Sequence, residues 1–355
     1  MDAGEPVVRS SFAPLLEAID GMADDPGGTV DSAAPDRRDG RVYRASDAVR
    51  MAIKLAVVTR RPLLLRGDPG SGKSSLAAYV ARNLGWRYYE HVVTSRTQAR
   101  DLLWTYDTVR RFADAASAAR TGQELYNFDY VEPGVLWWVM NPASARLRGA
   151  PEANRLRAVA VDPNEPVNST RDSRNAIVLL DEIDKADPDM PNALLVPLGS
   201  TEFEVSETET PVRPPRGTSG DIGESPRMLV IVTTNEEREL PEAFVRRCVV
   251  HRLEHPDAPE LVEIARAHFR ALGVELDTAE IGRATSIADR LIEMRRLCLE
   301  RGSRPPSTAE YLDAVHAGRA LGLELGAADW NLVESLILDK ERLDHGVRRQ
   351  DAQGA

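Results

Sequence analysis

The sequence predicts an α/β chain in which helices sandwich a parallel five-stranded sheet, followed by a small all-helical domain. Three observations predict it. Five short apolar runs, at residues 62–65, 88–93, 176–180, 228–232 and 249–253, recur between helical segments. Most are nearly continuous in apolar residues, the pattern of strands buried on both faces of a parallel sheet. After Pro256 the strand signals stop and only amphipathic helices follow. Alternating strand and helix signals put helices on both faces of such a sheet.

Taken in order, residues 1–40 are rich in Asp, Gly, Pro and Ala, and are expected to form a flexible arm. The alternative rests on one stretch, 12–22, where Leu15, Leu16 and Ile19 fall at helical spacing and would let a helix dock on a neighbour. Order is expected from Tyr43. Ser46 is placed to cap a helix through 55–58, with Val49, Ile53 and Val57 on one face. Helical segments at 74–84 and 189–198 separate later strands. Beyond Pro256, amphipathic helices are expected at 258–272, 279–300, 308–321 and 328–338. Ser307 and Glu310 form an S-x-x-E capping box directly after Pro305 and Pro306, a strong helix start. Stretches 162–174 and 211–226, rich in Pro, Ser, Gly and charge, read as mobile surface loops.

Composition narrows the function classes. The 355 residues are 42% hydrophobic and 28% charged, ordinary for a soluble globular protein. A formal net charge of −11 argues against a nucleic-acid partner, whose footprint is usually a basic patch. No apolar run reaches the length of a membrane span, and the N-terminus lacks a signal peptide's basic and apolar regions. Cys248 and Cys298 have no metal-ligand spacing and fit buried thiols in a reducing compartment. A cytoplasmic location is the expectation.

Gly67-Asp68-Pro69-Gly70-Ser71-Gly72-Lys73-Ser74 matches the phosphate-loop pattern G-x-x-x-x-G-K-[ST], with Ser75 following. Glycines let the backbone aim several N–H groups at phosphate oxygens, and the following helix adds its positive N-terminal end. Lys73 supplies a mobile charge for the β- and γ-phosphates, and the Ser74 hydroxyl completes a Mg²⁺ shell. The run Leu63-Leu64-Leu65 precedes the motif, and Leu76, Val80 and Leu84 share one face of the helix after it. That strand–loop–helix setting sharpens the fold to a P-loop NTPase αβα sandwich that takes ATP with Mg²⁺. GTP stays open, because no base-reading motif is recognisable.

A second signal sits at the end of the third strand run, Ile177-Val178-Leu179-Leu180-Asp181-Glu182. In a parallel sheet, ligands bind outside the carboxyl ends of the strands, so these two carboxylates should face the phosphates. Asp181 would hold Mg²⁺, and Glu182 would orient or deprotonate the attacking water. Taken alone, an acidic strand end is also what a solvated turn looks like.

The runs GDPGSGKSS, IVLLDEIDKA, MLVIVTTN and LPEAFVRRC together resemble the AAA+ superfamily, and within it the MoxR-like branch, from about residue 41 onward. The resemblance leaves out the flexible arm expected at 1–40 and implies an αβα nucleotide-binding core at 41–255 and a helical lid at 256–355. It implies that Asn235 is the sensor-1 residue that helps place the lytic water. Arg247 matches the arginine finger that projects into a neighbouring subunit's site, with Arg246 the alternative one residue away. Two insertions fit the branch. Residues 101–107 and 128–134 resemble its helix-2 insert; residues 199–205 and 210–213 resemble its hairpin before sensor 1. In the family these insertions line the central pore and meet substrates, although Trp104, Tyr106, Trp137 and Trp138 also suit core packing. Sensor 2 departs from the pattern. Prolines stand where its arginine belongs, leaving Arg304 as a weak substitute.

His251-Arg252-Leu253-Glu254-His255 satisfies H-x-x-E-H, a zinc-peptidase pattern. Zinc chemistry needs both histidines on one helical face, whereas a strand enters this motif and Pro256 follows it, so no metal site is expected there. The function implied is an ATPase that remodels or activates a protein partner as a homo-oligomeric ring, a hexamer being one size, without membrane or nucleic-acid contact. The alternatives are a nucleotide-gated assembly switch with slow turnover, or a nucleic-acid-acting motor of the same superfamily.

Overall fold

The computed structural model describes residues 8–24, 40–154, 159–215, 226–323 and 326–338. Among these, the strands are β1 (Leu63–Arg66), β2 (Trp86–Val92), β3 (Trp104–Tyr106), β4 (Val131–Pro133), β5 (Asp172–Asp181), β6 (Phe203–Val205), β7 (Thr210–Val212), β8 (Met228–Thr234) and β9 (Val249–Arg252). Five of them form one parallel sheet in the order β2-β5-β8-β1-β9. Each apolar run of the sequence supplies one of these strands. Leu63, Leu64 and Leu65 of β1, and Ala176 through Leu180 of β5, are fully buried, as residues covered on both faces must be. The fold is the P-loop NTPase sandwich with a helical C-terminal region.

The described residues divide into two compact units, one within 1–22, 45–66 and 80–252, the other within 23–44, 67–79 and 253–355. The first holds the sheet. Its helix α1 (Val8–Asp20) departs from the expected arm: Leu15, Ile19 and Met22 are buried, and Arg50 donates to the Ile19 carbonyl at 3.0 Å. Arg50 lies on α2 (Asp47–Thr59), whose first turn is capped by Ser46 accepting from the Val49 amide. The amphipathic stripe thus outweighs the polar composition around it.

A second departure concerns 162–174. Asp162 and Asn168 are buried, Tyr89 donates its hydroxyl to Asp162, and the Tyr88 amide donates to Asn168 Oδ1 at 2.8 Å. These polar side chains satisfy the free edge of β2 and each other, so a stretch of loop-like composition is fixed in place. Of 211–226, residues 216–225 lie outside the described residues, and β7 takes up the beginning. The helix expected at 189–198 breaks into Asp189–Ala193 and Leu195–Ser200. Pro197 explains the break, since it has no N–H to give the Ala193 carbonyl.

The two insertions are antiparallel hairpins, β3 with β4 and β6 with β7. They pack on one another. Trp104 stacks on Phe203 with ring centroids 5.6 Å apart, and Trp137 meets the same ring edge-on at 5.9 Å. Trp104 Nε1 donates to Glu207 at 2.7 Å. Trp104, Trp137 and Trp138 are buried core residues, and Trp104 and Trp137 form an aromatic seam with Phe203 between the two hairpins.

In the second unit, helices Ala258–Ala271, Thr278–Arg301 and Thr308–Ala320 pack around Leu261, Phe269, Leu291, Tyr311 and Trp330. Asp257/Glu260, Asp277/Glu280 and Ser307/Glu310 each close a capping box at the start of one of these helices. Among the described residues, no helix is long and apolar enough to cross a membrane.

Candidate active site

The phosphate loop leaves β1 at Gly67 and turns into helix α3 (Lys73–Leu84). Gly67, Gly70 and Gly72 have φ of 143°, 75° and 90°, a region that L side chains rarely adopt. Space forbids a side chain as well. A Cβ on Gly70 would lie 2.3 Å from Ser307 Cβ, and one on Gly67 would lie 2.7 Å from the Leu253 carbonyl oxygen. Lys73 is buried and donates to the Gly67 and Asp68 carbonyls at 2.7 and 2.8 Å. Ser71 Oγ is buried with no partner, and Ser74 and Ser75 stand in the first turn of α3. Asp68 Oδ2 lies 3.0 Å from His255 Nε2. Burial holds the His255 pKa below its ordinary value, with help from Arg295, while Asp68 pulls the other way. Pro69 separates these contacts from Gly70.

The acidic pair belongs to the first unit. Asp181 ends β5 and is 2% exposed. The register of β5 on β8 pairs Leu180 with Val232, which brings Thr233 level with Asp181. Thr233 Oγ1 donates to Asp181 Oδ1 at 2.6 Å and accepts from the Glu182 amide at 2.9 Å. Glu182 itself has φ 61°, unusual for a side chain of its size, and turns the chain sharply off the strand end. Its Oε1 accepts from Asn235 Nδ2 at 3.4 Å, a long contact, and its Oε2 accepts from Lys185 Nζ at 2.7 Å. That bond to Glu182 is the main reason the Lys185 pKa is raised. A cleft lined by Val93, Thr94, Glu182, Asp184, Lys185 and Glu237 opens beside the pair.

The two candidate finger arginines differ. Arg246 is ion-paired with Glu242 one turn earlier in the chain. Arg247 is exposed, and its side chain makes no hydrogen bond or ion pair among the described residues. Arg304 is also exposed, and the place next to the loop at the start of helix Thr308–Ala320 is taken by Ser307. Within the H-x-x-E-H string, β9 ends at Arg252, and His255 is engaged with Asp68.

Sequence reading missed Thr233, Lys185, Arg295 and the loop-facing use of His255 and Ser307. Thr233 lies two residues before Asn235, on alternating strand positions, and that spacing was the one available clue. Lys185 follows Glu182 by three residues, a helical neighbour distance.

The residues fit the groups that the motifs call for. The unpartnered Ser71 hydroxyl, the positive-φ glycines and the N-terminus of α3 suit phosphate oxygens. Ser74 and Asp181 are hard oxygen donors of the kind Mg²⁺ selects.

Residues 62–248 match the family model described as AAA domain (dynein-related subfamily). Among solved structures, a mutant of Thermotoga maritima RuvB is similar at 13% identity and a TM-score of 0.40, over 81% of this chain and 74% of that one. No curated protein matches the chain.

Proposed function

Because the chain belongs to the AAA domain family of ATP-hydrolysing ATPases, in its dynein-related subfamily, we propose that it is a MoxR-like motor that uses ATP to remodel or activate a protein partner as a homo-oligomeric ring. Gly67 through Ser75 bind the phosphates, with loop amides and Lys73 as donors. Ser74 and Asp181 would hold Mg²⁺, which neutralises charge on the phosphate oxygens. Glu182 accepts the proton of the attacking water, and Asn235 orients that water. Arg247 serves the neighbouring subunit, stabilising charge that develops on the γ-phosphoryl oxygens.

One observation carries this reading. β1, β8 and β5 are adjacent and parallel, so their carboxyl ends share one edge of the sheet. The phosphate loop begins at the end of β1, Asn235 follows β8, and Asp181 ends β5. Ligand sites in open α/β sheets lie beyond the carboxyl ends of the strands, and the proposed residues stand at or follow the ends of these three strands in the sequence. The choice of Arg247 over Arg246 is supported by the ion pair that occupies Arg246. The two hairpin insertions support the MoxR-like branch, and the net charge of −11 favours a protein over a nucleic-acid partner.

The decisive experiment measures the mass of the full chain in solution with and without Mg·ATP, in a Glu182→Gln variant. A ring assembled in ATP, with turnover reduced at least about a hundredfold, is expected. A monomer in ATP would overturn the ring, and near-normal turnover would remove Glu182 as the base. A slow nucleotide-gated switch is the second reading, favoured by the ion pair that Lys185 makes with Glu182.

A further inference from the structure

Arg295 lies within helix Thr278–Arg301 and is 5% exposed, an unusual place for a guanidinium. It makes no ion pair at bonding distance among the described residues. Instead it directs its donors to the backbone: Nε donates to the Pro306 carbonyl at 2.9 Å, and Nη1 to the Pro256 carbonyl at 3.0 Å. Nη2 reaches the Thr308 hydroxyl at 3.5 Å. Both carbonyls belong to residues directly beside a contact with the phosphate loop. Pro256 follows His255, whose ring meets Asp68; Pro306 precedes Ser307, which closes on Gly70. One planar fork therefore holds the chain beside two of its contacts with the loop, those of His255 and Ser307.

The chemistry selects arginine. Two carbonyls on different segments need donors at a fixed angle, which a guanidinium supplies and a single ammonium does not. Burial lowers the Arg295 pKa to about 10, with Asp68 and Glu310 opposing, so the group remains charged at neutral pH. An apolar residue of similar size would fill the same space without tying these segments together.

We infer that Arg295 is a positioning residue for nucleotide binding, fixing His255 and Ser307 against the phosphate loop so that the loop keeps its binding shape. The inference rests on reading Gly67–Ser74 as the phosphate site. No arginine stands at the start of helix Thr308–Ala320, and Arg295 does its positioning from helix Thr278–Arg301, through backbone carbonyls.

The test titrates Mg·ATP into the full chain carrying Arg295→Met or Arg295→Lys, with thermal unfolding of each and turnover at saturating ATP. Arg295→Met should weaken ATP affinity about tenfold or more, the scale of one charge-assisted hydrogen bond. Turnover at saturation should stay within about twofold. Arg295→Lys should fall between, since it can reach one carbonyl. Arg295→Lys combined with His255→Ala should cost less affinity than the two single losses added, because both act on one contact. Unchanged affinity in a folded Arg295→Met chain, with only a lower Tm, would overturn the inference as a purely structural role. If Arg295→Met does not fold, Arg295→Lys decides: unchanged affinity, or a loss simply additive with His255→Ala, overturns it. Lys73→Ala runs beside them. Retained ATP affinity there would bring down the phosphate-site reading itself, a different result from failure at Arg295.

Discussion

Thr233 Oγ1 donates to Asp181 Oδ1 at 2.6 Å, joining two neighbouring strands at the edge where the acidic pair stands. The same oxygen accepts from the Glu182 amide, so one hydroxyl orients both acidic residues. Thr233 is 1% exposed, and water cannot replace it. Thr233→Val keeps the shape but removes a hydrogen bond to a buried carboxylate and the acceptor of the Glu182 amide, at a cost of about 1.5–3 kcal/mol. Turnover should fall about tenfold or more, while Thr233→Ser stays near wild type. Steady-state ATPase assays with a magnesium titration check this, and equal rates for Val and Ser would refute it.

Lys185 holds Glu182 Oε2 at 2.7 Å, and both side chains are partly exposed. A base that is already ion-paired is a poorer acceptor for a water proton. Lys185→Met should therefore raise basal turnover about two- to fivefold, the range expected when an exposed pair worth up to about 1 kcal/mol is removed. ATP affinity should not change. Slower turnover in this variant would mean that Lys185 assists the reaction.

Arg246 and Arg247 can be separated by their surroundings. Arg246→Ala removes an exposed pair with Glu242 and should leave turnover within about twofold. Arg247→Ala should bind ATP normally and lose about 10³-fold or more in turnover, the value of an arginine finger. Mixing Arg247→Ala with Lys73→Ala subunits should restore part of the activity, because some interfaces then pair an intact loop with an intact arginine. No recovery after verified subunit exchange would refute a finger acting between subunits.

Cys248 is buried, its thiol donates to the Phe244 carbonyl, and burial pushes its pKa up to about 12. The sign follows from desolvation, which disfavours the thiolate. At pH 8 almost no thiolate exists at this position, so iodoacetamide should modify Cys298 in the native chain and reach Cys248 only after unfolding. Peptide mass spectrometry before and after denaturant reads the difference, and equal native labelling at both cysteines would contradict it.

Strand identity, the phosphate-loop pattern and the helix caps were legible in the sequence, because each is a local pattern. Leu63 through Leu65 read as a buried strand from their own composition, and Ser307 with Glu310 reads as a helix start from spacing alone. Order in the sheet is another matter. β1 lies between β8 and β9, and no local signal encodes that neighbour choice. Register on β8 then brings Thr233 to Asp181 across 52 residues. Composition misled where tertiary contacts supplied partners: helix Val8–Asp20 gains an apolar neighbour in α2, and Asp162 with Asn168 gains the edge of β2. His255 and Arg295 are the clearest cases of the same rule. A histidine in a zinc-like string and an arginine inside a helix have no fixed role until folding sets Asp68, Pro256 and Pro306 beside them. Periodicity and motif spacing carry information over a few residues, whereas a buried polar group is defined by partners that only the packed chain brings within hydrogen-bonding distance.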